Sequence, residues 1–151
     1  MNFTPKFEEP ADTRFEYPPI TDYMTKEVIT FHPHQSIKEA MESMLDNQIS
    51  GAPVVDDSAN IVGMLSETDC LHILLENAYN NLPQRGQLVE DYMSQSVTTI
   101  SADKNVVDVA YMFLNSKFRR YPVVDKGRLI GQVSRKDIMK AALNFKSERW
   151  R

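Results

Sequence analysis

The sequence has little that would suggest a secreted or membrane-bound protein. It contains a single cysteine, Cys70, so no disulfide can form within the chain, and a reducing compartment is the expected location. No apolar run approaches the roughly 18 residues that a membrane-spanning helix needs. The first twenty residues mix acids, aromatics and prolines and lack the basic and apolar regions of a signal peptide. We therefore expect a cytoplasmic protein.

The composition is that of a globular protein with an uneven charge. The chain has 151 residues, 42% hydrophobic and 25% charged, which is enough to bury a core without disulfides or metals. The net charge is −4, yet from Met112 onwards 11 Lys and Arg stand against 3 acidic residues. An acidic body argues against general nucleic-acid binding. The basic C-terminal region allows either a local anionic ligand or only a solvated surface.

The chain contains two copies of one pattern. They read DYMTKEVITF…APVVDDSANIVGMLSETD and DYMSQSVTTI…YPVVDKGRLIGQVSRKD, and they begin at Asp22 and Asp91. Two similar units therefore occupy the chain from Ile20 to about Ala142. The expected organisation is an N-terminal arm (1–19), a first unit (20–75), a linker (76–88), a second unit (89–143) and a basic C-terminal tail (144–151).

Each unit predicts the element order β-α-β-β-α. A short β-prone run, Val28–Phe31 or Val97–Ile100, precedes a helix whose apolar residues recur on one face. An S-x-x-E pattern at Ser36 and a similar pattern at Asn105 predict caps for these helices. Two short strands and a turn follow, and the second helix begins at the S-x-x-D that ends each copy. Because the helices are apolar on one face, we expect an α+β fold with helices against a sheet in each unit.

The S-x-x-D pattern occurs twice, at Ser66–Asp69 and at Ser134–Asp137. It is a helix-capping pattern and needs no further role. The same place also suits a nucleoside phosphate, because free helical N–H groups and a hydroxyl bind phosphate, while a carboxylate accepts both hydroxyls of a ribose. Its occurrence at the same position in both units favours a binding role.

The order of these motifs and their duplication resemble a tandem pair of CBS domains, or Bateman module. The resemblance covers about 20–142. It implies two β-α-β-β-α motifs packed through their sheets with pseudo-twofold symmetry, and pairing of two chains as a homodimer. It also implies two clefts that bind AMP, ADP or ATP, and in some members S-adenosylmethionine or NAD(H). None of these ligands would serve as a catalytic cofactor.

The resemblance also assigns residues to the two clefts. Each cleft takes the S-x-x-D of one motif together with the first strand and the residues before P-V-V of the other motif. One cleft would contain Ser66, Asp69, Val97, Thr98, Arg119, Arg120 and Tyr121. The other would contain Ser134, Asp137, Val28, Ile29, Ser50, Gly51 and Ala52.

Arg119 and Arg120 precede the YPVV strand, where family members with phosphate-binding basic residues carry them. Arginine suits phosphate because its planar fork combines permanent charge with paired donors, and the apolar strand offers a wall for a flat base. Arg135 and Lys136, inside the second S-x-x-D, could reach phosphates too. The matching Ser-Gly-Ala of the first unit is uncharged, so the Asp69 cleft is expected to prefer more phosphate. The alternative for the arginine pair is a solvated edge or a dimer contact.

The sequence offers few other candidates for chemistry. His32 and His34 flank a proline in a turn and are more typical of surface residues than of metal ligands. The pKa of Cys70 could fall at a helix N-terminus, although a small buried residue is the simpler interpretation. We find no combination of nucleophile, base and orienting group, so we expect neither an enzyme nor a metal site.

Two functions of different classes follow. The first is a regulatory sensor that binds an adenine nucleotide reversibly and signals to a partner by a conformational shift. The alternative is a protein–protein interaction module with vestigial clefts, in which the N-terminal aromatic residues and the basic tail bind the partner. A sensor of S-adenosylmethionine or NAD(H) is a variant of the first. The sequence does not name the regulated partner.

Overall fold

The computed structural model describes residues 17–80 and 87–149 and has an α+β fold, as expected from the sequence. In chain order its elements are a 3-10 helix (Ile20–Asp22), α1 (Ile37–Asp46), β1 (Gly51–Val55), β2 (Ile61–Ser66), α2 (Glu67–Asn80), α3 (Val89–Tyr92), β3 (Ile100–Ser101), α4 (Val106–Leu114), β4 (Arg120–Asp125), β5 (Arg128–Ser134) and α5 (Arg135–Arg149). No helix in these two ranges is both long and apolar enough to cross a bilayer.

The expected arm, linker and tail lie partly outside the described residues, namely at 1–16, 81–86 and 150–151. Within the described part, α2 continues to Asn80 and α5 continues to Arg149, so helix extends into the regions assigned to the linker and the tail. Pro18 and Pro19 contact the second unit: Val106 N donates to Pro18 O, and Pro19 forms a β-bridge with Asn105.

Each unit contains an antiparallel strand pair. In the first unit β1 pairs with β2, and Gly51 lies opposite Ser66. In the second, β4 pairs with β5, and Arg120 lies opposite Ser134. The short β3 runs parallel to β4 on its other edge. This register sets the residues before P-V-V beside the serine of the S-x-x-D in the same unit.

The caps predicted for the first helices are confirmed. Ser36 Oγ accepts a hydrogen bond of 3.4 Å from Glu39 N at the start of α1. Asn105 caps α4 more fully: its Oδ1 accepts from the backbone at 2.9 and 3.0 Å, while Asp108 Oδ2 accepts from Asn105 N at 3.2 Å. These local bonds satisfy N–H groups that have no partner inside the helix.

The predicted first strands are wrong in their extent. Val28–Phe31 forms no strand, and only Phe31 makes an isolated parallel bridge, to Val54. In the second unit β3 begins at Ile100, the last residue of the predicted run. The reason is that Thr25 pairs with Gln132 of the other unit, so the residues after it cross from one sheet to the other.

This crossing occurs in both halves and exchanges a segment between them. Thr25 and Gln132 exchange backbone hydrogen bonds of 2.8 and 2.9 Å, and Ser94 and Met64 exchange bonds of the same two lengths. Two hydrophobic cores result, one per half. The core of the first half includes Phe31, Ile37, Ala40, Val54, Leu65, Ile73 and Val89, and that of the second includes Ile20, Ile100, Val106, Val109, Val123 and Val133.

Ile20 and Val89 are the exchanged core residues, and both are 0% exposed. Ile20 is the first residue of the first unit yet is buried in the second core, while Val89 is the first residue of the second unit and is buried in the first core. The backbone approaches closely at these contacts. A Cβ at Gly63 would meet Ser94 O at 2.9 Å, and one at Gly131 would meet Thr25 O at the same distance. Neither half therefore completes its own core.

The tyrosine of each D-Y-M links the exchanged segment to a helix of the half that receives it. Tyr92 Oη donates to Glu76 Oε2 of α2 at 2.8 Å, and Tyr23 Oη accepts from Asn144 Nδ2 of α5 at 3.1 Å. Burial, followed by the hydrogen bond to Glu76, raises the pKa of Tyr92 to about 12. The phenol therefore stays protonated, and remains a donor to Glu76, at any physiological pH.

Candidate functional site

Both S-x-x-D patterns form the predicted helix caps with nearly identical geometry. Asp69 Oδ2 accepts from Ser66 N at 2.8 Å and from Ser66 Oγ at 2.9 Å, and Ser66 Oγ accepts from Asp69 N at 3.3 Å. The corresponding distances between Ser134 and Asp137 are 2.8, 3.0 and 3.3 Å. These bonds use one oxygen of each carboxylate and hold both side chains at the N-termini of α2 and α5.

A cleft of about 310 Å³ lies where the two halves meet, beside Ser66. Its walls come from the start of β1, the end of β2, the crossing segment before β3, and the loop and strand at the start of β4. The lining residues are Ser50, Gly51, Ala52, Pro53, Met64, Ser66, Ser96, Val97, Thr98, Lys117, Phe118, Arg119, Arg120, Tyr121, Pro122 and Gln132.

Most of the residues predicted for the first cleft line this one. Ser66, from the first half, lies with five residues of the second half: Val97, Thr98, Arg119, Arg120 and Tyr121. Asp69 is not among the lining residues, although it is hydrogen bonded to Ser66, which is. The structure thus brings the predicted set together, while contact of these residues with a nucleotide stays a prediction.

The residues predicted for the second cleft are divided. Ser50, Gly51 and Ala52 line the cleft beside Ser66, because the register of β1 on β2 holds them next to that serine. The structure thus places these three residues in the cleft beside Ser66, whereas the resemblance assigned them to the other cleft. The others, which do not line this cleft, are Val28, Ile29, Ser134 and Asp137.

The charge of the cleft is positive on one wall. Lys117, Arg119 and Arg120 are exposed residues of that wall, and none of the described residues lining the cleft is acidic. Other parts of the lining are apolar and include two prolines, Met64 and Val97. Such a site offers cationic donors to an anion and an apolar surface to a flat ring.

The cationic loop between α4 and β4 is held by bonds to Ser116. Tyr121 Oη donates to Ser116 Oγ at 2.5 Å, and Phe118 N donates to the same oxygen at 3.3 Å. Tyr121 itself is 2% exposed and packs against the rings of Phe113 and Phe118, at centroid distances of 4.8 and 5.5 Å. A buried tyrosine thus anchors the loop that presents the cations.

Arg135 also contacts this loop. Its Nε donates to the carbonyl oxygen of Phe118 at 3.1 Å and its Nη2 to that of Ser116 at 3.4 Å. Arg135 does not line the cleft. Where the sequence suggested that this guanidinium could reach a phosphate, the structure shows it bound to neutral backbone carbonyls outside the cleft lining.

Sequence reasoning missed several lining residues. Lys117 and Phe118 directly precede the arginine pair, and their proximity in sequence is the signal that could have found them. Met64 and Gln132 occupy equivalent positions in the two repeats, each one residue after the glycine of its strand. That equivalence would have placed both on the faces where the two halves meet.

The remaining titratable candidates do not form a second site. Burial, and then the charges of Asp69 and Glu67, raise the pKa of the Cys70 thiol, so the possibility of a lowered pKa there is wrong. His32 Nε2 lies 2.9 Å from Asp57 Oδ1, on the surface. Within residues 17–80 and 87–149, no three His, Cys, Asp or Glu side chains are grouped so that they could hold a metal ion.

The family model of the CBS domain matches residues 20–76 and 89–144. The chain belongs to the CBS domain family. The CBS-pair protein CBSX2 from Arabidopsis thaliana, whose crystal structure was solved in complex with AMP, shares 33% sequence identity with this CBS pair. The two structures superpose with a TM-score of 0.72, covering 85% of this chain and 98% of that chain.

Two further proteins resemble this pair. The CBS domain pair of MJ0100, solved with 5′-methylthioadenosine and S-adenosyl-L-methionine, has 28% identity and a TM-score of 0.64, covering 81% of this chain and 97% of that one. MJ1225 of Methanocaldococcus jannaschii is 31% identical over 122 residues. The chain spans 42% of MJ1225 and 65% of the full-length chloroplastic CBSX2, so it corresponds to part of these curated relatives.

Proposed function

We propose that this CBS pair is a regulatory module that binds an adenine nucleotide reversibly in the cleft beside Ser66. The observation that carries the proposal is the pairing, in one cleft, of three cationic residues with an apolar wall. Structural neighbours of the pair hold AMP in one case and adenosine-based ligands in another. Since the cleft is built from both halves, its occupancy would favour one packing of the halves over another, and a partner protein would respond to that difference.

The charge and size of the cleft favour a mononucleotide with several phosphates. Lys117, Arg119 and Arg120 attract phosphate oxygens and repel the sulfonium of S-adenosylmethionine. The volume of about 310 Å³ is at the small end of ligand pockets, which fits a mononucleotide better than the two nucleosides of NAD(H). We therefore propose the preference ATP over ADP over AMP. The ligand serves as a signal, with no catalytic cofactor or reaction in the proposal.

The proposed contacts follow the position of each side chain. In the first cleft Ser66 and Asp69 would face the ribose and phosphate, and Val97 and Tyr121 would belong to the apolar wall. A second, less cationic cleft is proposed around Ser134, Asp137, Val28 and Ile29. The proposed location of the module is the cytoplasm, because a chain with a single cysteine suits a reducing compartment.

The test is a calorimetric titration, together with thermal unfolding, using adenosine, AMP, ADP, ATP, S-adenosylmethionine and NAD(H). A ligand present at a hundred times its dissociation constant stabilises the folded state by about 2.7 kcal/mol. We expect affinity to rise with each phosphate and adenosine to bind most weakly. If only S-adenosylmethionine or only NAD(H) binds, that compound, and not AMP, ADP or ATP, is the ligand of the module. Absence of binding by all six would favour the interaction-module alternative.

We propose further that two chains associate through their helices as a homodimer. Equivalent positions of the two halves carry exposed apolar side chains: Leu45 and Leu114 are 78% and 67% exposed, Leu71 and Met139 are 62% and 65%, and Leu75 and Leu143 are 52% and 68%. A repeated apolar surface of this kind is unusual on a monomer. It suits an isologous interface, in which one surface meets its own copy.

The homodimer predicts that Leu71→Glu with Leu75→Glu produces a monomer. Both side chains are more than half exposed, so the substitutions should leave the core intact while placing charges in the interface. Light scattering after gel filtration measures the mass directly. Lys126→Glu, a charge change in the exposed β4–β5 turn, is the control and should stay dimeric. A wild-type chain that is monomeric at tens of micromolar would contradict the proposal.

A further inference from the structure

The loop that presents the cations to the cleft combines groups that repel one another. Lys117, Arg119 and Arg120 lie within four consecutive positions between α4 and β4, and all three are exposed. Like charges this close disfavour a single loop conformation, and nothing in the local sequence compensates with an acid. Besides the bonds of Tyr121 and Phe118 to Ser116, contacts from elsewhere in the chain can oppose this repulsion.

Arg135 supplies such contacts. It lies at the start of α5 and makes three hydrogen bonds to the loop: its backbone N donates to Arg119 O at 3.1 Å, and its guanidinium donates to the carbonyls of Phe118 and Ser116. Two nitrogens of the rigid, planar guanidinium donate to two carbonyl oxygens of the loop, which belong to residues two positions apart. Through these bonds the two carbonyl oxygens face the start of α5.

The first half has no counterpart of this side-chain contact. Glu67 occupies the position of Arg135, and its backbone N donates to Ser50 O at 2.9 Å, as Arg135 N does to Arg119 O. A carboxylate cannot donate to carbonyl oxygens, so only the backbone bond is shared. The guanidinium contact is therefore confined to the half whose loop carries the cations.

We propose that Arg135 is a positioning residue that orders the cationic loop and so sets the preference of the cleft for phosphate-bearing ligands. The inference rests on the proposed function for the nature of the ligand, whereas the hydrogen bonds from Arg135 to the loop lie within the chain itself. Arg135 acts through Lys117, Arg119 and Arg120 and does not itself contact the ligand. It is distinct from Lys136, the next residue, which is also cationic and exposed.

The first test is hydrogen exchange of the ligand-free protein, followed by mass spectrometry on peptides covering residues 115–121. Arg135→Met should speed exchange in this peptide by about tenfold, since two charge-assisted bonds are lost. Arg135→Lys should restore part of the protection, because an ammonium can donate to one carbonyl. Lys136→Met removes the same charge and should exchange like the wild type. Equal exchange in Arg135→Met and Lys136→Met would overturn the proposal.

The second test compares ligand affinities by calorimetry. Arg135→Met should weaken ATP binding by about tenfold and adenosine binding by less than about twofold, because only the phosphate-facing loop is disturbed. An equal loss for both ligands would indicate a general structural role. Loss of ATP affinity with unchanged exchange would indicate direct contact, and either result overturns the proposal. If the wild type binds no nucleotide, the proposed function fails, while the exchange measurement still decides whether Arg135 orders the loop.

Discussion

Replacing Arg119 and Arg120 together with methionine should weaken ATP binding by about 100-fold or more. Each arginine can make a charge-assisted hydrogen bond to a phosphate, worth about 1.5–3 kcal/mol, and two such losses combine to at least about 3 kcal/mol. Methionine keeps much of the aliphatic length of the side chain, so the apolar part of the wall is retained. Affinity for adenosine should therefore change little, and calorimetry on both ligands separates the two contributions.

The matched control is Lys126→Met with Arg128→Met. Like the arginine variant, it removes two positive charges. These lie at exposed positions of the β4–β5 turn and β5 that do not line the cleft. This variant should bind ATP within about threefold of the wild type, because charges far from a ligand are screened at physiological salt. A similar loss in both variants would mean that net charge, and not the cleft, determines affinity. Unchanged ATP binding in the arginine variant would remove the main support for the proposed site.

Ile20→Ala should destabilise the protein by about 3 kcal/mol, within the range of about 2–5 kcal/mol for truncating a buried isoleucine to alanine. Ile20 is 0% exposed and lies in the core of the second half, although it is the first residue of the first unit. For a chain of this size the melting temperature should fall by roughly 10 °C. Denaturant unfolding gives the free energy, and calorimetry gives the temperature.

Ile29→Ala is the matched control, since it makes the same chemical change in the same segment. Ile29 is 37% exposed, so its truncation should cost less than about 1 kcal/mol. Equal destabilisation by the two variants would show that Ile20 does not complete the second core. Hydrogen exchange should also place the loss of protection from Ile20→Ala in the second half.

Features specified by neighbouring residues could be predicted from the sequence. The caps at Ser36 and Asn105, and those made by the S-x-x-D patterns, depend on side chains two or three positions from the groups that they bind. The duplication gave the two units, and the helical periodicity gave the α+β class. These signals can be interpreted from the sequence without knowing which surfaces of the folded chain meet.

Features that depend on distant partners were not predictable. The run at Val28 has the composition of a strand. However, Thr25, three positions before it, pairs with Gln132, more than a hundred positions away. The sequence shows that Arg135 is cationic but not which groups its guanidinium binds, because the acceptors lie 17 and 19 positions earlier. The position of Ser50 likewise depended on the register of β1 and β2, which a repeat alone does not supply.

The exchange of segments between the halves makes them equivalent to two subunits that happen to share one peptide chain. Each half supplies the piece that its companion lacks, as in a domain-swapped pair. The connection between them then acts through effective concentration: it keeps the companion close without having to dictate how the two bind. On this view, the close backbone approaches at Gly63 and Gly131, next to the crossings, fix how the two halves fit together.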